Sequence, residues 1–202
     1  MFIPKFDFQL PEWIMNYLNA EEIILPNIED RMRLAIKLSE LNIKEKTGGP
    51  FGAGVFDDKG KLIACGVNLV ESRKCSFLHA EIIALSLAQK VLNRFDLGMG
   101  GKFKYELVTT TEPCAMCYGA IPWSGVSRLV CGARDEDARS IGFDEGPKLK
   151  NWIEELKGRD INVHCDVLRE EAASVLRHYA AIGGTIYNSG KWALNKTDKN
   201  AS

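Results

Sequence analysis

The chain has 202 residues, of which 46% are hydrophobic and 26% are charged, a balance typical of one globular domain with or without an extension. Its 26 basic and 27 acidic residues give a formal net charge of -1, which argues against an electrostatic footprint for nucleic acid or acidic membrane. The N-terminal stretch is interrupted by prolines and charges, so neither a signal peptide nor a membrane span is predicted, and a cytoplasmic protein is expected.

The first half of the chain predicts a helix followed by a β-hairpin. Leu34, Leu38 and Leu41 recur at helical spacing among charged residues, which predicts an amphipathic helix over residues 28–46. The runs FGAGVF and LIACGV flank a polar turn, a pattern typical of two paired strands. Gly52 lacks a side chain and suits a strand that another backbone or a ligand approaches closely.

The middle of the chain alternates helix and strand. Residues 79–93 are apolar on nearly every face, as expected of a helix buried under a sheet. Residues 104–110 and 127–133 are typical of strands, and the segment 114–121 between them is typical of a short helix. This alternation predicts parallel neighbours joined by crossovers, and therefore an α/β fold.

The C-terminal part predicts a helix at residues 148–157, a fifth strand in INVHC, and a final amphipathic helix between Leu168 and Tyr179. The polar end of the chain, KTDKNAS, is expected to fray. The predicted organisation is an N-terminal extension packed on the domain (1–26), one catalytic domain (27–190) and a polar tail (191–202).

Two motifs predict a metal site. His79 opens the apolar helix, and Cys114 and Cys117 follow a proline at the start of the short helix. One imidazole and two thiolates hold zinc with three protein ligands and leave the fourth tetrahedral position for water or hydroxide. The helix start favours the thiolate forms of both cysteines. Glu81 is two residues beyond His79, so it is placed to move a proton beside the metal rather than to bind it.

Other interpretations of these motifs stay open. A lone C-x-x-C is also found in redox proteins and in structural zinc sites, and a structural site needs a fourth ligand. Candidates for it are Cys75, His164 and His178, although each is also explained by packing or exposure. Glu112 is expected to shape its loop or cap a helix. The remaining cysteines lie in apolar runs and are expected to be small buried side chains: Cys65, Cys131 and Cys165.

The order H-A-E then P-C-A-M-C resembles the zinc-dependent cytidine and deoxycytidylate deaminase superfamily, whose signature has this form. The tracts GGPFGAGVF, GVNLV, CYGAIPWSGV and above all IGFDEGP resemble the bacterial guanine deaminase branch. The similarity extends from about Lys46 to Pro147. It implies a three-layer αβα fold of the cytidine deaminase type, with a central mixed sheet of about five strands flanked by helices.

The resemblance also implies roles for individual residues. His79, Cys114 and Cys117 bind one zinc ion per subunit, Glu81 shuttles the proton, and Glu145 is the second acid that protonates the departing amine. The implied substrate-binding residues are Asn68, Phe51, Trp123 and Ala80. An amide also suits a lactam edge and an aromatic ring suits a flat heterocycle, yet a turn asparagine or core aromatics explain the same residues.

The resulting hypothesis is hydrolytic deamination of a purine base, first guanine to xanthine, with guanine-like triazines such as ammeline as further substrates. Small heterocyclic amines are the expected partners, with no nucleic acid and no membrane, and the family implies a homodimer. One alternative is a tRNA adenosine deaminase, which shares both motifs. A second alternative is a non-catalytic, zinc-stabilised binding module, but the presence of Glu81 argues against it because a structural zinc does not need that residue.

Overall fold

A computed structural model describes residues 9–19 and 22–187 of the chain. The helices and strands follow in this order: α1 (Glu12–Leu18), α2 (Ile28–Lys44), β1 (Gly52–Asp57), β2 (Leu62–Val67), α3 (Val70–Arg73), α4 (Ala80–Leu92), β3 (Tyr105–Thr111), α5 (Ala115–Ser124), β4 (Arg128–Ala133), α6 (Asp135–Ser140), α7 (Trp152–Lys157), β5 (Asn162–His164) and α8 (Arg169–Ala181). The predicted long helix, hairpin, buried helix and final helix are therefore confirmed, each within a few residues of its expected limits.

The strands form one mixed sheet of five in the order β2-β1-β3-β4-β5. β1 pairs antiparallel with β2 and with β3, as a hairpin and its neighbour do. β3, β4 and β5 run parallel, so the predicted crossovers are confirmed. The carboxyl ends of β3 and β4 consequently lie side by side, and the chain leaves β3 there to enter α5.

Two helical layers cover the sheet, which confirms the three-layer α/β fold. Leu107 and Val108 are neighbours on β3 and point to opposite faces, as strand geometry requires. Leu107 packs in a core with α4, α5 and α7, whereas Val108 packs in a second core with α2, α6 and α8. Both residues are fully buried, so β3 lies between the two cores and not at an edge.

Glycines allow the helices to approach the sheet closely. A Cβ atom added at Gly52 would lie 2.3 Å from the carbonyl oxygen of Ala35 in α2, which confirms the close approach expected there. A Cβ atom added at Gly66 would lie 2.2 Å from the carbonyl oxygen of Ala80 in α4. These contacts fix the start of α4 against the hairpin, and that start carries His79 and Glu81.

The N-terminal segment contains a helix that the sequence pattern did not predict. Ile14 of α1 is fully buried in a third apolar cluster that also contains Leu38 and Leu78. The polar tail at 191–202 lies outside the described residues, and the division of the chain into extension, domain and tail stays a prediction. Among the described residues, no helix combines the length and apolar composition needed to cross a bilayer.

Candidate active site

The three predicted metal ligands converge at two helix starts. His79 is the residue immediately before α4, and Cys114 holds the same position before α5, with Cys117 in the first turn of that helix. The Sγ atoms of Cys114 and Cys117 lie 3.5 Å and 3.6 Å from Nδ1 of His79. All three ligand atoms lie within 4.8 Å of one another. Residues that are 35 and 38 positions apart in the sequence thus form one cluster.

The spacing of these atoms fits tetrahedral zinc. Zinc–nitrogen and zinc–sulfur bonds of about 2.05 Å and 2.3 Å at a tetrahedral angle separate the two ligand atoms by about 3.6 Å. The separations between His79 Nδ1 and the two sulfurs have this value. Neither Cys75 nor His164 or His178 belongs to the cluster, so the described residues supply three ligands and not a closed four-ligand structural site.

The two thiols share a proton before a metal binds. The hydrogen bond between them lowers the pKa of Cys114 to about 4 and raises that of Cys117 well above its ordinary value. The thiolate is the form that binds a metal, so any proton held by this pair of thiols must leave when a metal binds. Metal binding at this cluster releases a proton and should weaken as the pH falls.

Two buried carboxyl groups face the same region. Glu81, the second residue of α4, and Glu145, in the loop after α6, each have a relative exposure of only 7%. Burial raises the pKa of Glu81. Burial also raises the pKa of Glu145 to about 8, and the negative charges of Cys114 and Glu81 add to that effect. Glu145 is thus mostly protonated at neutral pH.

These acids line a small, partly open cavity beside the ligand cluster. Its aromatic wall consists of Phe51, Phe143 and Tyr187. Phe143 contacts both of the others edge to face, with ring centroids 5.1 Å apart in each pair. A cavity with aromatic walls and two buried carboxyl groups is suited to a small heterocycle that exchanges protons.

The other predicted substrate-binding residues lie in different surroundings. Asn68 is buried behind the cavity, where its Oδ1 accepts a hydrogen bond from the backbone of Val70 and its Nδ2 has no partner among the described residues. Ala80 is fully buried in the core beneath α4. Trp123, near the end of α5, is 85% exposed and does not line the cavity of this subunit. Its role as a stacking residue stays a prediction.

Several residues that line the cavity were given no site role from the sequence: Phe143, Tyr187, Thr111, Asp144 and Glu112. Phe143 lies in the tract IGFDEGP, two residues before Glu145, so its place near the site could have been predicted from the sequence. Tyr187 lies 70 residues beyond Cys117 in a segment without a motif. Thr111 is the last residue of a threonine-rich strand, and nothing in the sequence separates it from its two neighbours.

A buried ionic network supports both loops of the site. The ammonium group of Lys148 donates to the carbonyl oxygen of Pro113 at 3.0 Å and lies 3.7 Å and 3.6 Å from the carboxylates of Glu112 and Asp135. Arg139 contacts the same Asp135 and donates to the carbonyl oxygen of Gly146. Glu112 accepts from the backbone of Asp135, so it caps α6 and not the helix after Pro113. The network joins the ligand loop to the loop that carries Glu145.

The family model for the cytidine and deoxycytidylate deaminase zinc-binding region matches residues 26–133. This range covers more than half of the chain and contains His79, Glu81 and both cysteines of the ligand cluster. The chain belongs to this family. The zinc-binding region of this family therefore coincides with the ligand cluster of the structure, and zinc is the metal that the site binds.

Individual proteins of known activity are also similar to this chain. The chain is 36% identical to the guanine deaminase of Bacillus subtilis over 119 residues, which cover 59% of this chain and 72% of that protein. It is 34% identical to a tRNA-specific adenosine deaminase of Haemophilus influenzae over 154 residues, 73% of this chain and 80% of that protein. A solved structure of the guanine deaminase from Nitrosomonas europaea is 46% identical, with a TM-score of 0.83, and covers 88% of this chain and 97% of that one.

Proposed function

We propose that this protein is a zinc-dependent deaminase that converts guanine to xanthine and ammonia. The observation that carries the proposal is the presence of two buried carboxyl groups, Glu81 and Glu145, in one small cavity beside the ligand cluster. One acid suffices to move the proton of water, and the second gives the departing amine its own donor. The similarity to guanine deaminases from two organisms supports the choice of substrate.

In this proposal His79, Cys114 and Cys117 hold the metal. Zinc, when bound there, supplies a Lewis acid that makes water reactive at neutral pH. Glu81 takes a proton from the attacking water and delivers it to the ring nitrogen next to the amine-bearing carbon. The raised pKa of Glu81 suits both steps, because the group must accept a proton and give it up again.

Glu145 is assigned to the leaving group. Its pKa of about 8 keeps it protonated at neutral pH, so it can donate to the amine as the carbon–nitrogen bond breaks. As the new carbonyl forms, the hydroxyl group of the tetrahedral adduct gives its proton to Glu81. After the products leave, that proton passes to the Glu145 carboxylate through solvent, which restores both acids. Phe51 and Phe143 form an aromatic wall against which the ring packs, and the amide of Asn68 keeps its role as a hydrogen-bond partner of the purine as a proposal that rests on the family resemblance.

The test is ammonia release from guanine, ammeline, cytosine, adenine and cytidine by zinc-loaded protein. Guanine should be turned over fastest, and Glu81→Gln should lower turnover by about 10²- to 10⁴-fold because the proton carrier is lost. Activity that survives this change would refute the mechanism. Equal turnover of cytosine and guanine would refute the choice of substrate.

We also propose that two subunits associate in the cytoplasm, as the family resemblance implies. Trp123 and Phe95 expose 85% and 89% of their surface, and large exposed aromatic side chains are typical of contact surfaces. A role for Trp123 at such a contact accounts for its distance from the cavity of its own subunit. Sedimentation of the wild type and of Trp123→Ala, which should shift toward monomer, measures this directly.

A tRNA adenosine deaminase is the alternative that a specific observation favours, since the relative from Haemophilus influenzae matches the longer stretch of chain. The near-neutral charge favours a free base instead, because affinity for tRNA depends on clustered basic side chains. Binding to tRNA that weakens steeply with salt, together with inosine formation, would reverse the ranking. Stoichiometric zinc without turnover of any amine heterocycle would favour the non-catalytic module.

A further inference from the structure

Thr111 ends β3 at the wall of the cavity, and its hydroxyl group is unpaired. The side chain is 3% exposed, and Oγ1 has no hydrogen-bond partner within the described part of the chain. A buried hydroxyl without a partner destabilises a protein, because it loses its hydrogen bonds to water and gains none in return. Such a group is retained at a functional position when a ligand or an ordered water completes it.

The neighbouring threonine shows that the strand itself does not create this deficit. Thr110 is 2% exposed, points to the opposite face of β3, and accepts a hydrogen bond from the backbone nitrogen of Gly52 at 3.2 Å. The two residues thus have the same type, the same strand and nearly the same burial. They lie on opposite faces of the sheet. The hydroxyl of Thr110 has a hydrogen-bond partner in the fold, whereas that of Thr111, which lines the cavity, has none among the described residues.

The unpaired hydroxyl is part of a pattern. Nε2 of His79 and the hydroxyl of Tyr187 are also buried without partners among the described residues, and both residues line the same cavity. Nδ1 of His79 faces the two sulfurs, so its Nε2 points away from them, and the hydroxyl groups of Thr111 and Tyr187 are the unpaired polar groups that a ligand in the cavity can complete. A purine base has donors and acceptors for both hydroxyl groups, whereas an apolar ligand would leave both unpaired.

We propose that the Thr111 hydroxyl is a substrate-positioning group that hydrogen-bonds the edge of the heterocycle carrying the departing amine. This inference rests on the proposed function. Thr111 is three residues before Cys114 and lines the same cavity as Glu81 and Glu145. A hydroxyl both donates and accepts, which suits an amine and ring nitrogen whose protonation changes during the reaction.

The experiment replaces the hydroxyl by a methyl group of nearly the same size. Thr111→Val should lower kcat/KM for guanine about tenfold, which is the loss of one hydrogen bond to the substrate. Its zinc content should equal that of the wild type, and its Tm should be unchanged or higher because an unpaired buried hydroxyl has been removed. Thr111→Ser keeps the hydroxyl and should restore kcat/KM to within about threefold of the wild type.

Thr110→Val is the matched control. It removes a hydroxyl that the fold does use, so Tm should fall while kcat/KM of the folded protein stays at the wild-type value. An unchanged kcat/KM in Thr111→Val, with an active wild type, would overturn the inference and leave the proposed function intact. A joint loss of zinc and Tm in Thr111→Val would show that the hydroxyl supports the fold. A wild type inactive on guanine would overturn both proposals.

Discussion

The two ends of β3 each bury a carboxyl group, and the fold treats them in opposite ways. Near the start of the strand, Glu106 is 1% exposed and forms ion pairs with Arg31 and Arg128. Beyond the other end, Glu81 and Glu145 are nearly as buried and form no ion pair among the described residues. A buried carboxylate with cations beside it stays charged and stabilises one packing arrangement, whereas an unpaired one takes up a proton.

Under the proposed function, the same residue type has a structural role at one end and a catalytic role at the other. At the paired end the carboxylate of Glu106 is held by two guanidinium groups, those of Arg31 and Arg128. At the unpaired end burial raises the pKa of Glu145 to about 8, which puts protonation within reach of the reaction. Among the described residues, no cationic side chain pairs with Glu81 or Glu145, which is consistent with the proton-transfer roles proposed for them.

The largest expected effect is a loss of stability when the ion-paired carboxylate of Glu106 is made neutral. Glu106→Gln leaves the buried guanidinium of Arg31 without its counter-ion and should lower the free energy of unfolding by about 3–5 kcal/mol. Urea titration measures this loss. Turnover per folded, zinc-bound molecule should stay near the wild-type value, because Glu106 lies far from the cavity wall.

The control for this change replaces both partners. The double variant Arg31→Met with Glu106→Leu removes both charges and should recover much of the lost stability. If Glu106→Gln were as stable as the wild type, or if it lowered turnover without unfolding the protein, the division between a structural end and a catalytic end would be wrong.

The second effect concerns the unpaired end. Glu145→Gln should lower kcat at least about 100-fold, since the amide cannot donate a proton to the departing amine. Bound zinc should be unchanged, and stability at neutral pH should not fall, because no ion pair is broken. Metal analysis and thermal unfolding of the same samples check both statements. Loss of zinc would instead assign Glu145 to support of the metal loop.

The smallest expected effect concerns an ion pair at the surface, which can be compared with the buried ion pairs of Glu106. Arg134 and Asp166 form a bidentate pair at 2.8 Å and 2.9 Å, and both side chains are more than 40% exposed. The hydrogen bond from Arg134 lowers the pKa of Asp166 below its ordinary value of 3.8. Asp166→Asn should cost less than about 1 kcal/mol, because solvent screens the pair.

The pH dependence of that small effect has a definite sign. A lowered carboxyl pKa contributes stability that is present above the ordinary pKa and disappears as the pH falls through the folded-state pKa. The difference in unfolding free energy between wild type and Asp166→Asn should therefore be present at neutral pH and vanish in acid. It should also shrink in high salt. A difference that grows toward acid pH would contradict this assignment.

A feature of the fold or of the site could be predicted from the sequence when the residues that determine it are close together in the chain. The ligands His79, Cys114 and Cys117 were recognised because each motif occupies a few residues at a helix start, where short-range geometry fixes the side chains. The fold class followed from hydrophobic periodicity and from strand–helix alternation, which the sheet order confirms. Helix α1 was missed because prolines and aromatic residues obscure its short apolar face.

Other features depended on contacts between distant segments. Glu112 was expected to shape its loop or cap a nearby helix, but it caps α6 because the start of that helix comes beside the end of β3. Tyr187 reaches the cavity only because α8 returns the chain to it. Trp123 was expected to flank the substrate, yet the direction in which α5 presents it depends on how that helix packs.

By itself, the sequence determined the metal, the family and the alternation of strands and helices, because those features depend on residues close together in the chain. Tertiary structure decided which buried polar groups are completed and which are left free. Thr110 and Thr111 are adjacent and identical in type, and only the two faces of the sheet distinguish them. Glu106 and Glu145 differ likewise through cations that distant segments bring to one of them and not to the other.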